Sequence, residues 1–276
     1  MARRRLDTEM VRRGLCESRE KAQSEIAERR VLVSGTIADK PARMVDASEP
    51  IEVIGPPPKF VSRGGLKLEH AIVEFQLEDI FQNAIVLDAG SSTGGFTDCA
   101  LQFGAQHVVS VDVGTNQLHE SLRQHPNVQV FEQTNLRQLQ KGDLPHTASI
   151  VVADLSFISL RTVWNNLKQL ASDDAIFIVL VKPQFEAGRT EVAKGKGVIS
   201  DPTIWQRVLE EISDDICAAG GSIHGVALSP LAGAEGNREF LLLGRFRAGE
   251  SLSQHNSLTS AQRTEQFQQI VATVES

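Results

Sequence analysis

The chain has only three cysteines, Cys16, Cys99 and Cys217, widely separated in sequence. Their odd number and wide spacing argue against a disulfide framework and against a metal-binding motif, and they suit a reducing compartment. Long apolar runs are also missing. The longest falls well short of the roughly 20 residues that a membrane-spanning helix needs, and the opening "MARRRLDTEM" lacks the apolar core of a secretory signal. The expectation is a soluble, cytoplasmic protein with no membrane partner. Two nucleotide fingerprints are absent as well. Without a G-x-x-x-x-G-K-[ST] loop, ATP or GTP binding is disfavoured, and without G-x-G-x-x-G a dehydrogenase is a poor fit. No cluster of His and Cys suggests a metal ligand set, so no metal is expected.

What is present is ordinary globular material: 276 residues, 41% hydrophobic, enough for one medium domain and a small one. The net charge of -7 hides an asymmetry. Residues 1–45 hold 11 Lys and Arg against 7 Asp and Glu, so the front is basic and the remainder acidic. A basic front fits a nucleic-acid contact, with a solvated helical face as the alternative.

Residues 1–54 read as a small α+β unit. Leu6, Met10 and Val11 share a helical face ending at Gly14; Ser18 caps a second helix reaching about Glu28; short β-rich runs follow, broken by Gly35, Pro41 and Pro50. Residues 55–60, "GPPPKF", form a stiff proline linker. From 61 to 248, short apolar runs alternate with amphipathic helices. Strands are expected near 84–89, 107–113, 128–132, 149–154, 175–181, 222–228 and 239–246, the last antiparallel to its neighbour, which is the pattern of a doubly wound α/β sheet. Asp201, Pro202 and Gly220 bracket the clearest helix. The tail, 249–276, is polar and then helical, with no assigned function.

"IVLDAGSSTGGF" puts Asp88, Gly90, Gly94 and Gly95 where the first strand of this sheet hands over to a helix, and Ser92, Thr93 and Phe96 complete the turn. Asp112 ends the next strand, where a carboxylate can accept hydrogen bonds from ribose hydroxyls. Asn135, in "EQTNLR", could read an adenine edge. Ribose and adenine sites without a phosphate loop point to S-adenosylmethionine. Asp154 and Lys182 sit at strand ends on the same edge, Glu239 opens the last strand, and Lys67 opens the first helix; together they make a neutral cluster able to hold a hydroxyl.

Seven segments, "FVSRGGLKLEHA", "VLDAGSSTGGFTD", "VDVGTNQL", "EQTNLR", "VVADLSFISL", "LVKPQFEAG" and "SPLAGAEGNREF", together resemble the TlyA (hemolysin A) family of ribosomal RNA 2'-O-methyltransferases. The front resembles that family's S4-like RNA-binding module. Ser91 stands where members often have alanine. The resemblance implies a Rossmann-like seven-stranded methyltransferase fold of the FtsJ type and S-adenosylmethionine as cofactor, with a Lys67-Asp154-Lys182-Glu239 tetrad in which Asp154 also faces the cofactor. Glu235 is a nearby second acid, but Glu239 has the "GNREF" context. The implied substrate is cytidine in ribosomal RNA within ribosomal subunits, and the arginine-bearing extension resembles that of members modifying both.

Lys182 is then either the base or the clamp for the attacking hydroxyl. Arg3, Arg4, Arg5, Arg12, Arg13, Arg19, Lys21, Arg29, Arg30, Arg63 and Arg189 are candidates for RNA contacts. "FEAGRTEVAKGKGVIS" reads as a mobile loop near the substrate. The rival reading is an RNA-binding protein that keeps the fold without catalysis; a membrane-lytic protein would need an apolar span that is missing. Nothing in the sequence specifies an oligomeric state.

Overall fold

Short apolar runs broken by glycine and proline build the first of two units, Met1–Lys59, in the computed structural model, which describes residues 3–27, 29–56, 58–247 and 256–275. The unit contains β1 (Arg4–Arg5), α1 (Leu6–Arg12), α2 (Arg19–Ala27), β2 (Val31–Val33), β3 (Thr36–Ile37), β4 (Met44–Val45) and β5 (Ile51–Val53). β1 pairs with β4, and β3, β2 and β5 form an antiparallel sheet. Leu6, Met10, Ala22, Ile26, Val31, Val33 and Val45 bury themselves in one core. Ser18 Oγ accepts from Lys21 N at 3.1 Å, which caps α2. α2 stops at Ala27; Glu28, its expected end, lies outside the described residues.

In the second unit, Phe60–Ser276, the order is α3 (Gly64–Glu74), α4 (Glu78–Phe81), β6 (Ile85–Ala89), α5 (Gly95–Gln102), β7 (His107–Val111), α6 (Glu120–Arg123), β8 (Val128–Phe131) and β9 (Ala148–Ala153). It continues with α7 (Leu160–Leu170), β10 (Ala171–Val181), α8 (Pro183–Glu186), α9 (Arg189–Lys194), α10 (Pro202–Ala218), β11 (Ser222–Leu228), β12 (Phe240–Arg245) and α11 (Ser260–Glu275). The seven-stranded sheet runs β11-β12-β10-β9-β6-β7-β8. Its strands are parallel except that β12 lies antiparallel between β10 and β11.

The apolar run of β10 is explained by its two faces. Phe177, Val179 and Val181 enter the core under α7 and α10, while Ile176, Ile178 and Leu180 enter the core under α3 and α5. A strand covered on both sides has no polar alternation to display. β10 begins earlier than its apolar run, at Ala171, with an irregularity before Ile176 that accommodates Asp173 and Asp174. α10 starts at Pro202, with Asp201 accepting from Thr203 N at 2.9 Å, and Gly220 takes φ +83° just past its end.

The expected polar tail is partly core. Phe267 and Val271, four residues apart on α11, are buried in the cluster that contains Ile212 and Ile223. Arg263 holds Asp214 of α10 at 2.7 Å. The polar start of the tail, residues 249–255, lies outside the described residues.

Candidate active site

Parallel strands deliver their last residues to one edge, and an antiparallel strand delivers its first residue there. Phe240 of β12 pairs with Val181 of β10, so Glu239, one residue earlier, and Lys182, one residue later, meet at the same level. Asp154 follows β9 directly and donates its backbone N–H to Ala89 O at 3.1 Å. Lys67 comes from the first turn of α3.

These four side chains converge as two pairs. Lys182 Nζ lies 2.5 Å from Asp154 Oδ1, and Lys67 Nζ lies 2.5 Å from Glu239 Oε2. Lys67 also stands 3.9 Å from Asp154 Oδ2, which joins the pairs. Lys182 Nζ donates to Ser156 Oγ at 3.0 Å. Glu239 is 2% exposed, and Gly233 beside it has no room for a Cβ. Glu235, the other nearby acid, is exposed on a left-handed backbone at φ 58°.

Two cavities meet at this edge. One, of about 390 Å³, is lined by Ser62, Arg63, Lys67, Gly95, Phe96 and Lys182 among others; the second, of about 410 Å³, by Asp112, Gly114, Gln117, Asn135, Leu155 and Phe157 among others. Gly90, Ser92, Asp154 and Ser156 line both. Glu239 lies behind Lys67, outside both linings.

The glycine turn is built for close approach. Gly90 has φ +85°, and a Cβ there would come within 2.7 Å of Asp154 O. At Gly95 a Cβ would strike Gly65 N at 2.6 Å, so α3 and α5 start against each other only because that side chain is missing. Gly94 (φ +99°) caps α5, and Thr93 O accepts from His119 N at 3.0 Å.

Asp88 is buried beneath the turn. Thr97 Oγ1 donates to its Oδ2 at 2.6 Å, while Oδ1 has no hydrogen-bond partner. Burial, assisted by the charges of Asp154 and Asp112 and opposed by Thr97, pushes its carboxyl up to about 7.

Asp112 accepts from Ser92 N at 2.8 Å and Gly114 N at 2.7 Å, which fixes both oxygens at the cavity wall. Asn135 Oδ1 accepts from Arg137 N at 3.1 Å and caps a short 3-10 turn. The residues fit S-adenosylmethionine: a carboxylate at the end of β7 for ribose, apolar Val111, Leu136, Leu155 and Ile158 for adenine, and a glycine turn that admits the methionine portion past Gly90.

Sequence reasoning missed Ser156, Phe157 and Glu132. Phe157 is 91% exposed at φ 63°, an uncommon backbone for a bulky residue. The motif "ADLSFISL" carries the first two, but only the loop's path brings them to the cavities. The stretch expected to be a mobile loop, residues 185–200, instead takes in the end of α8 and all of α9. Arg207 of α10 holds both carboxylate oxygens of Glu191 at 2.7 Å, and Asn237 bonds Ile199 N and Gly197 O at 3.0 Å each. Arg189 is exposed on α9, and Arg63 is exposed just before α3.

The remaining candidate cations lie in the first unit. Asp7, fully buried, accepts from Arg5, Arg19, Gln23 and Thr8. The hydrogen bond from Arg5, with those from Gln23 and Arg19, outweighs burial and holds its carboxyl well below the usual range. Glu9 binds Arg12 and Arg13, and Glu25 binds Lys21 and Arg30. Arg13 also donates to Asp46 O, Ala47 O and Glu49 O, and Arg30 to Pro56 O, so these two guanidiniums are engaged within the unit. Arg3, Arg4, Arg12, Arg19 and Arg29 are exposed.

Comparison with known proteins identifies the family of each unit. Residues 60–246 match the FtsJ-like methyltransferase family, and residues 4–51 match the S4 domain. The chain is 43% identical to the 16S/23S rRNA (cytidine-2'-O)-methyltransferase TlyA of Mycobacterium tuberculosis, over 92% of this chain and 94% of that one. It is 38% identical to hemolysin A of Brachyspira hyodysenteriae, over 86% of this chain and 98% of that one. A solved structure of a hemolysin-like protein from Streptococcus thermophilus shares 35% identity, covers 100% of this chain and 98% of its own, and superposes with a TM-score of 0.76. The chain belongs to the FtsJ-like methyltransferase family, in its TlyA (hemolysin A) branch, and carries an S4 domain ahead of the methyltransferase domain.

Proposed function

We propose that this methyltransferase uses S-adenosylmethionine to methylate the ribose 2'-hydroxyl of a cytidine in ribosomal RNA. The observation that carries the reading is the shared wall: Asp154 and Ser156 line both cavities, and Lys182, which holds both, lines the first. A donor in the Asp112 cavity and a ribose in the Lys182 cavity would meet there. The choice of cytidine and ribosomal RNA rests on the 43% identical relative named for that reaction.

The cofactor supplies an electrophilic methyl group, and this chain's residues orient the oxygen that takes it. Lys182 is ion-paired with Asp154 and donates one N–H to Ser156, and an ammonium with three N–H groups keeps donor capacity for the ribose oxygen. The geometry therefore favours Lys182 as a clamp that aims an oxygen lone pair. The oxygen would take the methyl group as the donor's sulfur–methyl bond breaks, with the neutral thioether S-adenosylhomocysteine as leaving group, and the hydroxyl proton would pass to Asp154 or solvent. Lys67, held by Glu239, steadies the second oxygen of Asp154 from 3.9 Å. Holding both reactants in line supplies several kcal/mol of the rate enhancement.

The exposed arginines of the S4 domain would position the RNA through its phosphates, with the reaction taking place on ribosomal subunits in the cytoplasm. No helix among the described residues is long and apolar enough to cross a membrane. Asp7 holds Arg5 and Arg19 as a pair, 44% and 52% exposed, suited to a phosphate. Arg19→Ala is expected to weaken RNA binding and to lower the slope of log affinity against log salt by about 1. Arg13→Ala is expected to leave that slope unchanged and to lower the melting temperature, because its carbonyl partners lose their donor. Filter binding over a salt series, with thermal unfolding alongside, separates the two.

The reading is tested by incubating the full chain with labelled S-adenosylmethionine and separate unmethylated small and large subunits, then mapping the label. Methyl groups on cytidine 2'-oxygens are expected. Cofactor binding with no label in either subunit would favour a non-catalytic RNA-binding role.

A further inference from the structure

Glu132 follows β8 directly and lies outside both cavity linings. Its carboxylate gathers three consecutive amides of the loop after the neighbouring strand β7: Asn116 N at 2.8 Å, Gln117 N at 3.0 Å and Leu118 N at 3.3 Å. Arg123 of α6 completes the set at 2.7 Å. Turning three successive N–H groups toward one carboxylate is accompanied by a left-handed backbone at Asn116, φ 53°, and strain of this kind persists only where surrounding contacts impose it.

The loop so held is a wall of the Asp112 cavity, to which Val113, Gly114 and Gln117 contribute. It is tied on both flanks. Gln133 N donates to Gly114 O at 3.0 Å, Thr134 N to Asp112 O at 2.9 Å, and His119 N to Thr93 O at 3.0 Å. Glu132 adds a charged acceptor to this lacing, as Asp112 does at Gly114 N, and hydrogen bonds to an ionised group are about twice as strong as neutral ones. Burial pushes its carboxyl up, but Arg123 and the three amides outweigh that and hold it at about 2, so it stays ionised at any working pH.

We infer that Glu132 is a positioning residue for the methyl donor, setting donor affinity by fixing the loop over residues 113–118 against Asp112. The inference rests on the reading of the Asp112 cavity as the donor site. Glu132 lines neither the Asp112 cavity nor the Lys182 cavity and acts through the loop, so its loss reaches donor binding and leaves the chemical step alone.

The experiment measures S-adenosylmethionine binding to the full chain by calorimetry, together with steady-state methylation of ribosomal subunits. Glu132→Gln is expected to raise the donor Kd and KM at least tenfold, with kcat at saturating donor and KM for the subunit within twofold of the parent. Arg123→Gln, which leaves the amides bonded, is expected to raise them about threefold and serves as the second variant should Glu132→Gln fold poorly. Asp112→Ala is the control and is expected to abolish measurable donor binding. If it weakens binding while Glu132→Gln and Arg123→Gln do not, the inference is overturned and the donor-site reading stands. An unchanged Kd in Asp112→Ala overturns both. A fall in kcat at saturating donor with KM unchanged in Glu132→Gln would show a role in the chemical step instead.

Discussion

Lys182→Ala is expected to slow single-turnover methyl transfer at least a thousandfold, about 4 kcal/mol in the barrier, while S-adenosylmethionine binding stays within about twofold. The substitution removes the group that bridges Asp154 and Ser156 at 2.5 and 3.0 Å and lines the cavity proposed for the ribose. It leaves Asp112, Gly90 and the loop on Glu132 untouched, so donor affinity has no reason to collapse. A misaimed ribose oxygen loses the in-line geometry on which effective molarity depends. Lys182→Arg separates clamp from base. Arginine stays charged and still donates, so a clamp predicts activity at least tenfold above the alanine variant, whereas a base predicts that both are equally inactive. Full activity of Lys182→Ala in a rapid-quench assay would remove the assignment altogether.

The convergence of the candidate site's residues was largely legible in sequence because strand ends are. "ASIVVAD", "AIFIVLVK" and "EFLLLGRF" each end or begin with a charge on an apolar run, and a parallel sheet delivers such residues to one edge. The partnership was not legible. That Lys182 pairs with Asp154 while Lys67 pairs with Glu239 follows from β12 lying antiparallel beside β10, with Phe240 opposite Val181. Glu132 was invisible for a related reason: its value lies in three amides one strand away, and no local pattern marks a carboxylate for that task. In the first unit, charge composition located the basic front but could not tell Arg13, spent on three backbone carbonyls, from exposed Arg19. The tail looked polar because Phe267 and Val271 are spaced one helical turn apart among glutamines, a stripe too narrow to stand out in composition.

Glu239→Leu is expected to abolish methylation and to lower the melting temperature on the order of 10 °C, whereas Lys67→Met/Glu239→Leu is expected to regain most of the temperature and none of the activity. Glu239 and Lys67 are 2% and 11% exposed, so each has exchanged water for the other. Removing one partner of a buried pair leaves an uncompensated charge and costs about 3–5 kcal/mol, which at roughly 2–4 °C per kcal/mol for a domain of this size gives the expected shift. Replacing both with apolar side chains of similar volume removes the desolvation penalty together with the attraction, and such swaps are often neutral or stabilising. Thermal unfolding of the parent, both single variants and the double variant yields the coupling energy; methylation of ribosomal subunits by the same four proteins yields the functional half. Recovery of stability without activity would mean that the pair is kept for the charge it sets 3.9 Å from Asp154 rather than for holding the fold together. A double variant as unstable as Glu239→Leu would mean that the site's packing, not its charge, fails when Glu239 is lost. An active double variant would take Lys67 and Glu239 out of the catalytic set and leave Lys182 and Asp154 as its whole.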